Sequence, residues 1–474
     1  MKKILLSVLA GVATLFGCTN GTHKSDSQAA APDTTSVSHP EWSRNAVIYE
    51  VNTRQYTPEG TFKAFAEHLP RLKELGVDIL WFMPIHPISE VNRKGSLGSY
   101  YAVHDYKAVN PEFGNLDDFK AVVDSAHAMG MKVIIDWVPN HTGCDNAWVT
   151  EHPDRYARNE QGEMFGPADW TDVYQLDYTN PDTRAAMIDA MQYWLREADI
   201  DGFRCDVAGM VPVDFWNEAR PALESVKPDI FMLAEASQPS LHEEAFDMGY
   251  NWPMVDLFNR ISAYSGQNSI KNASLAEGET APKYTAVDID SLIADQAANY
   301  PVGSYLMNMV TNHDYNSWEG TEFQRYGALT PAFAVLSYTL PGMPLIYTGQ
   351  ETGMDHAFEF FEKDDAPQWE PRNEYFVFYQ TLNDLKHQRH ELNAGSSHDT
   401  MTVYPTESED VLVFSRQADG CTTVVGVNLG KENASIQFKE TPVSVKGFSD
   451  VMNVSKVEDY PAALAPGEYF IYVN

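Results

Sequence analysis

Basic residues are scarce in this chain of 474 residues: 33 Lys and Arg stand against 67 Asp and Glu, a formal net charge of −34. That balance repels phosphate backbones and anionic lipid surfaces, which argues against nucleic acid as a partner. Cysteine is scarcer still, with Cys18, Cys144, Cys205 and Cys421 the only four. With Cys18 set aside the other three cannot all pair, so no disulfide framework carries the fold. No histidine or cysteine spacing of a metal centre accompanies them. What is present describes an ordinary globular protein of two or three domains, with 43% hydrophobic and 12% aromatic residues. Abundant Trp and Tyr also suit carbohydrate, because sugar rings present flat C–H faces to aromatic rings.

The N-terminal stretch "MKKILLSVLAGVATLFGC" has a basic start, an apolar run too short to span a bilayer comfortably, and small residues before Cys18. "LFGC" resembles a bacterial lipobox, in which Cys18 becomes the new, diacylated N-terminus. Residues 1–18 are therefore expected to be a lipoprotein signal and 19–43, without apolar periodicity, a flexible tether. The expected location is the bacterial envelope, most simply the outer membrane, with the membrane touched through the lipid alone.

From residue 46 strand-like runs alternate with helical patterns. "AVIYEVN", "VDILWFMPI", "MKVIIDWV", "DGFRCDVA", "DIFMLAEAS", the weaker "MGYNWPMV", "YLMNMVTN" and "MPLIYTG" make eight such runs. Eight strand–helix repeats predict a closed (β/α)8 barrel, the TIM-barrel form of the α/β class, over 44–394. Residues 139–180 read as an excursion after the third strand. Beyond residue 394, period-two segments such as "VLVFSRQ" and "CTTVVGVNLG" predict an antiparallel β-sandwich over 395–474.

In such a barrel the chemistry sits at the C-terminal ends of strands. There the sequence places Asp136, Asn140 and His141 in "DWVPNH", Arg204 and Asp206 in "DGFRCD", Glu235 in "LAEAS", and His313 and Asp314 in "TNHD". Any one alone reads as a helix cap or a solvated charge; four strand ends together read as a site. Along "GFRCD", Phe203 and Cys205 share one face while Arg204 and Asp206 share the other. A pair of carboxyls is what glycoside hydrolysis requires, one as nucleophile or base and one as acid. On this reading Arg204 keeps Asp206 ionised, and the apolar neighbours of Glu235 raise its pKa toward that of an acid.

These four segments, in this order, resemble the signature regions of the α-amylase family of glycoside hydrolases, and the resemblance extends from about residue 44 to the end. It implies Asp206 as nucleophile, Glu235 as general acid/base and Asp314 as the carboxylate that grips sugar hydroxyls in the transition state. It implies that Tyr101, His141, Arg204 and His313 line the sugar subsite, and that 139–180 is the family's inserted B domain. It further implies an α-glucan or maltooligosaccharide substrate, with no cofactor in the chemistry. A structural calcium would use Asn140, although Gln175 stands where the family's aspartate is expected. Val207, Ala208, Gly209 and Met210 replace the Lys-His segment common after the nucleophile. Transglycosylation or hydrolysis of another α-linkage would use the same residues. A non-catalytic starch-binding lipoprotein is the rival of another class, opposed by the intact carboxylates.

Overall fold

The computed structural model describes residues 34–276, 278–395 and 401–474; Cys18 and the expected signal segment lie outside them. Each of the eight expected runs contributes one barrel strand. They are β1 (Ile48–Val51), β2 (Ile79–Phe82), β3 (Lys132–Trp137), β4 (Gly202–Cys205), β5 (Phe231–Ala234), β6 (Met248–Tyr250), β7 (Tyr305–Asn308) and β8 (Met343–Tyr347). All neighbours pair in parallel, and β1 closes the ring between β8 and β2.

Strand alternation divides these residues between two environments. Ile48, Ile79, Ile134, Phe231, Met248, Tyr305 and Met343 fill the barrel interior. Val133, Ile135, Phe203 and Cys205 face outward into the layer beneath the helices. Gly202 opens β4 for a steric reason: a Cβ there would lie 1.9 Å from the Phe231 carbonyl oxygen. No larger residue lets β4 approach β5 so closely.

The helices are specified locally in the same way. Helix α1 (Leu116–Ala128) starts at a capping box, in which Asp118 N–H donates to Asn115 Oδ1 and Asn115 N–H to Asp118 Oδ2. Its buried residues, Phe119, Val122, Val123 and Ala126, recur at helical spacing. Burying each of the larger three is worth about 1.5–3 kcal/mol.

After β3 the chain leaves the barrel. His141–Gly143 and Val173–Gln175 form a small antiparallel hairpin, with His141 opposite Gln175. The hairpin is fastened to the loop after β2: Gly143 N–H donates to the Val103 carbonyl, and the Tyr106 hydroxyl donates to the carbonyls of Val138 and His141. The C-terminal unit has a six-stranded antiparallel sheet and a two-stranded one. Leu412, Phe414, Val425, Val427 and Ile471 join the barrel's outer core. On the opposite face, Val411, Val413, Val424, Phe470 and Tyr472 pack under Val445, Val457 and Leu464. Sheet and covering layer together make the sandwich.

The expected tether differs in its last ten residues. From Thr34 on, the chain is bound to the barrel: Thr35 N–H donates to the Val302 carbonyl, and His39 contacts Asp247 Oδ1 at 2.9 Å while stacking on Tyr305. Trp42 covers Phe231 at one end of the barrel interior. An extended strap needs backbone partners and a few anchors, not periodicity, which is why its sequence reads as linker.

Candidate active site

Arg204 is the hub of the strand-end cluster, and its side chain is wholly buried. Strand alternation turns it inward beside Asp136, its register partner on β3. Its Nη1 donates to Asp136 Oδ1 at 2.8 Å and to Asp206 Oδ1 at 3.1 Å. Its Nη2 lies 3.0 Å from Glu235 Oε2, a charge contact whose angle does not make a hydrogen bond. Its Nε donates to the Tyr250 hydroxyl, and Trp81 and Tyr250 flank the guanidinium. One cation thus holds three carboxyls.

A second network joins it. Asp136 Oδ2 accepts from Trp81 Nε1 and from the Tyr101 hydroxyl, which lies 2.7 Å from His313 Nε2. His313 Nδ1 contacts Glu50 Oε1 at 2.5 Å, and its Nε2 lies 3.4 Å from Asp314 Oδ2. The rings of Tyr101 and His313 are stacked. His141 lies under the edge of Trp170. Asp206, Glu235, Asp314, Tyr101, Arg204 and His313 are therefore brought together in one continuous network. His141 joins it at the Tyr101 backbone.

Burial and neighbouring charge set the protonation of these groups. Burial opposes a charge on His313, but the Asp314 and Glu50 carboxylates outweigh it and lift the pKa to about 9. His141 goes the other way: burial lowers its pKa to about 3, so the ring is neutral. Burial pushes Asp136 up to about 6, against the pull of Arg204.

The surroundings expected for Asp206 and Glu235, an aspartate ionised by Arg204 and a glutamate in an apolar niche, are corrected here. Burial and the adjacent Glu235 carboxylate push Asp206 well above the ordinary carboxyl range, and Arg204 does not offset them. The arginine's single charge is divided among three carboxyls, so it anchors Asp206 more than it ionises it. Glu235 does not occupy an apolar niche either, because its Oε2 accepts the Val207 N–H at 2.7 Å as well as facing Arg204.

Val207 is a finding that the sequence does not announce. It has φ +38°, a left-handed conformation that is costly for a β-branched residue. This turn directly after Asp206 aims the Val207 N–H at Glu235. Glu50, Trp81 and Tyr250 were also missed. Only Glu50 carries a sequence signal, as a lone acid inside the apolar run "AVIYEVN".

The surroundings of Asn140 do not make a calcium shell. Its amide faces His141 Nδ1 at 3.4 Å, and Gln175 across the hairpin is neutral. Calcium favours carboxylate oxygens, and among the described residues no group of three or more His, Cys, Asp or Glu side chains is arranged to hold a metal.

The profile described as alpha amylase, catalytic domain, matches residues 23–170 and 156–399. A cyclomaltodextrinase of a Bacillus species is 25% identical over 449 residues, 84% of this chain and 75% of that protein. The crystal structure of an alpha-amylase from Lactobacillus plantarum is 30% identical and superposes with a TM-score of 0.76, covering 91% of this chain and 99% of that one. A maltogenic alpha-amylase from Thermotoga neapolitana is 28% identical, also with a TM-score of 0.76. The chemistry of this family needs no cofactor. With its barrel, its inserted hairpin after β3 and its carboxyl cluster, this chain belongs to the α-amylase family of glycoside hydrolases.

Proposed function

We propose that the protein is a retaining hydrolase of α-1,4-glucosidic bonds in starch, glycogen or maltooligosaccharides. Asp206 is the nucleophile, Glu235 the general acid/base and Asp314 the carboxylate that holds sugar hydroxyls as the oxocarbenium-like transition state forms. The observation that carries this reading is the anchoring of Asp206 and Glu235 on adjacent nitrogens of Arg204, at 3.1 and 3.0 Å. Two carboxyls gathered on one guanidinium supply the nucleophile and the acid that a double displacement needs.

In the first step an Asp206 oxygen bonds to the anomeric carbon as the glycosidic C–O bond breaks, and the Glu235 proton passes to the departing oxygen. In the second, water attacks that carbon, Glu235 takes its proton, and the Asp206 ester is released. The double displacement starts with Asp206 charged and Glu235 carrying the proton. Tyr101 stacks on the sugar ring, and charged His313 and neutral His141 complete the wall of the subsite.

Hydrolysis is favoured over transfer by the chain after Asp206. Val207, Ala208, Gly209 and Met210 offer a sugar acceptor no charged or hydrogen-bonding side chain, whereas water needs none. For location, we propose anchorage through lipid on Cys18 in the bacterial envelope, most simply the outer membrane. The lipobox-like sequence at Cys18 supports this.

Asp206→Asn tests the assignment, since it removes the nucleophilic charge with almost no change in volume. Turnover of maltoheptaose should fall at least about a thousandfold with an unchanged circular dichroism spectrum. A folded variant that keeps wild-type-like turnover excludes Asp206 as nucleophile.

A further inference from the structure

Resting on the roles proposed above, we infer that Trp318, backed by Phe360 and Phe361, is a binding subsite for a glucosyl unit on the non-reducing side of the cleaved bond. Glu235 protonates the departing oxygen, so the leaving-group half of the cleft belongs to the rim around β4 and β5. In the closed ring β8 lies opposite β4, and β7 opposite β3. The loops after β7 and β8 therefore border the half where the retained chain continues.

Those loops carry an aromatic series that leads away from the reaction centre. The Phe360 ring lies nearly parallel to Tyr101, 15° between planes and 6.3 Å between centroids. Trp318 follows at 5.3 Å from Phe360 and 5.6 Å from Phe361. Trp318 is 44% exposed, a large apolar surface left open beside a sugar site. A flat indole offered to water and supported from behind suits the C–H face of a glucosyl ring.

The platform is rigid before any substrate arrives. Trp318 sits on a single π-helical turn, Tyr315–Glu319, immediately after Asp314. Such turns recur at functional sites. The Asn316 side chain ties this turn to the β8 loop twice, donating to the His356 carbonyl and accepting from Phe358 N–H, both at 2.9 Å. Gln55 fastens the same loop from β1, donating to the carbonyls of Glu359 and Glu362 and accepting from Asp364 N–H. Leu97 N–H donates to the Phe361 carbonyl from the loop after β2. Little ordering remains to be done when a sugar stacks, which keeps the cost of binding low.

The test compares the unaltered enzyme, Trp318→Ala and Trp318→Phe on maltoheptaose and on α-glucosyl fluoride, which fills only the site at Tyr101. Trp318→Ala should lower the ratio of kcat/KM for maltoheptaose to that for the fluoride at least about fivefold, chiefly through KM, as apolar contact is lost. Trp318→Phe should recover part of it. An unchanged ratio, or equal losses on both substrates, overturns the subsite. Calorimetric titration of maltoheptaose into Asp206→Asn, with and without Trp318→Ala, gives a readout that needs no turnover. Weaker binding in the double variant supports the subsite, and an unchanged Kd overturns it. If the unaltered enzyme cleaves no α-glucan, the functional reading fails, and the calorimetric arm still decides the subsite.

Discussion

Replacing Arg204 by Met keeps the volume of the buried side chain and removes its charge. Asp136, Asp206 and Glu235 then lose the cation they contact at 2.8, 3.1 and 3.0 Å. Breaking a buried ion pair from one side costs about 3–5 kcal/mol. Part of that cost must depend on pH. Asp136 has a pKa of about 6 with the arginine in place, above its unfolded value of 3.8. A raised carboxyl pKa destabilises the fold as pH rises through that window, and the effect is complete above it. Without Arg204 the Asp136 pKa rises further and the group becomes protonated. Protonating it at about pH 7.5 from a pKa of about 6 costs about 2 kcal/mol, a cost that vanishes near pH 5.5. Urea unfolding should therefore show Arg204→Met destabilised by about 3–5 kcal/mol at about pH 7.5, and by about 2 kcal/mol less near pH 5.5. A penalty equal at both pH values, or below about 1 kcal/mol throughout, would refute the view that Arg204 holds buried charge together.

His313 has the opposite pH signature. Its folded pKa of about 9 exceeds the unfolded 6.5, so its ionic contribution, about 3 kcal/mol, is full below pH 6.5 and lost as pH rises through about 9. His313→Gln should accordingly destabilise more at about pH 6 than at about pH 10, and a gap that does not narrow counts against the imidazolium. On the proposed lipid anchor, Cys18→Ala should move the protein from the membrane fraction to the soluble one, because the acyl chains can then no longer be attached. A variant that still sediments with membranes contradicts the lipid anchor.

The barrel was legible because each strand is buried on both faces and reads as a largely apolar run in which a charge stands out. "MGYNWPMV" was the faintest, and β6 proves to be only Met248–Tyr250. The carboxyls were legible because charge at the end of an apolar strand is conspicuous. What escaped was whatever depends on three-dimensional convergence. Arg204 seemed to serve Asp206 because the two are neighbours in sequence; Asp136 and Glu235, far along the chain, share the same guanidinium. Trp81 and Tyr250 looked like core and are core, yet they also flank that guanidinium. The left-handed Val207 has no sequence signal, since the residue type argues against the conformation. The strap from Thr34 to Ser43 was hidden because it binds through backbone bonds and isolated anchors such as His39 and Trp42.

The central claim is that Asp206 attacks the anomeric carbon while Glu235 protonates the leaving oxygen. The anomeric configuration of the first-formed product reports this most directly. Proton NMR during the first turnovers on maltoheptaose, before mutarotation, should show the new reducing end as the α anomer, because two inversions at one carbon restore the starting configuration. A β anomer in those first spectra would mean a single displacement by water and would contradict the nucleophilic role of Asp206.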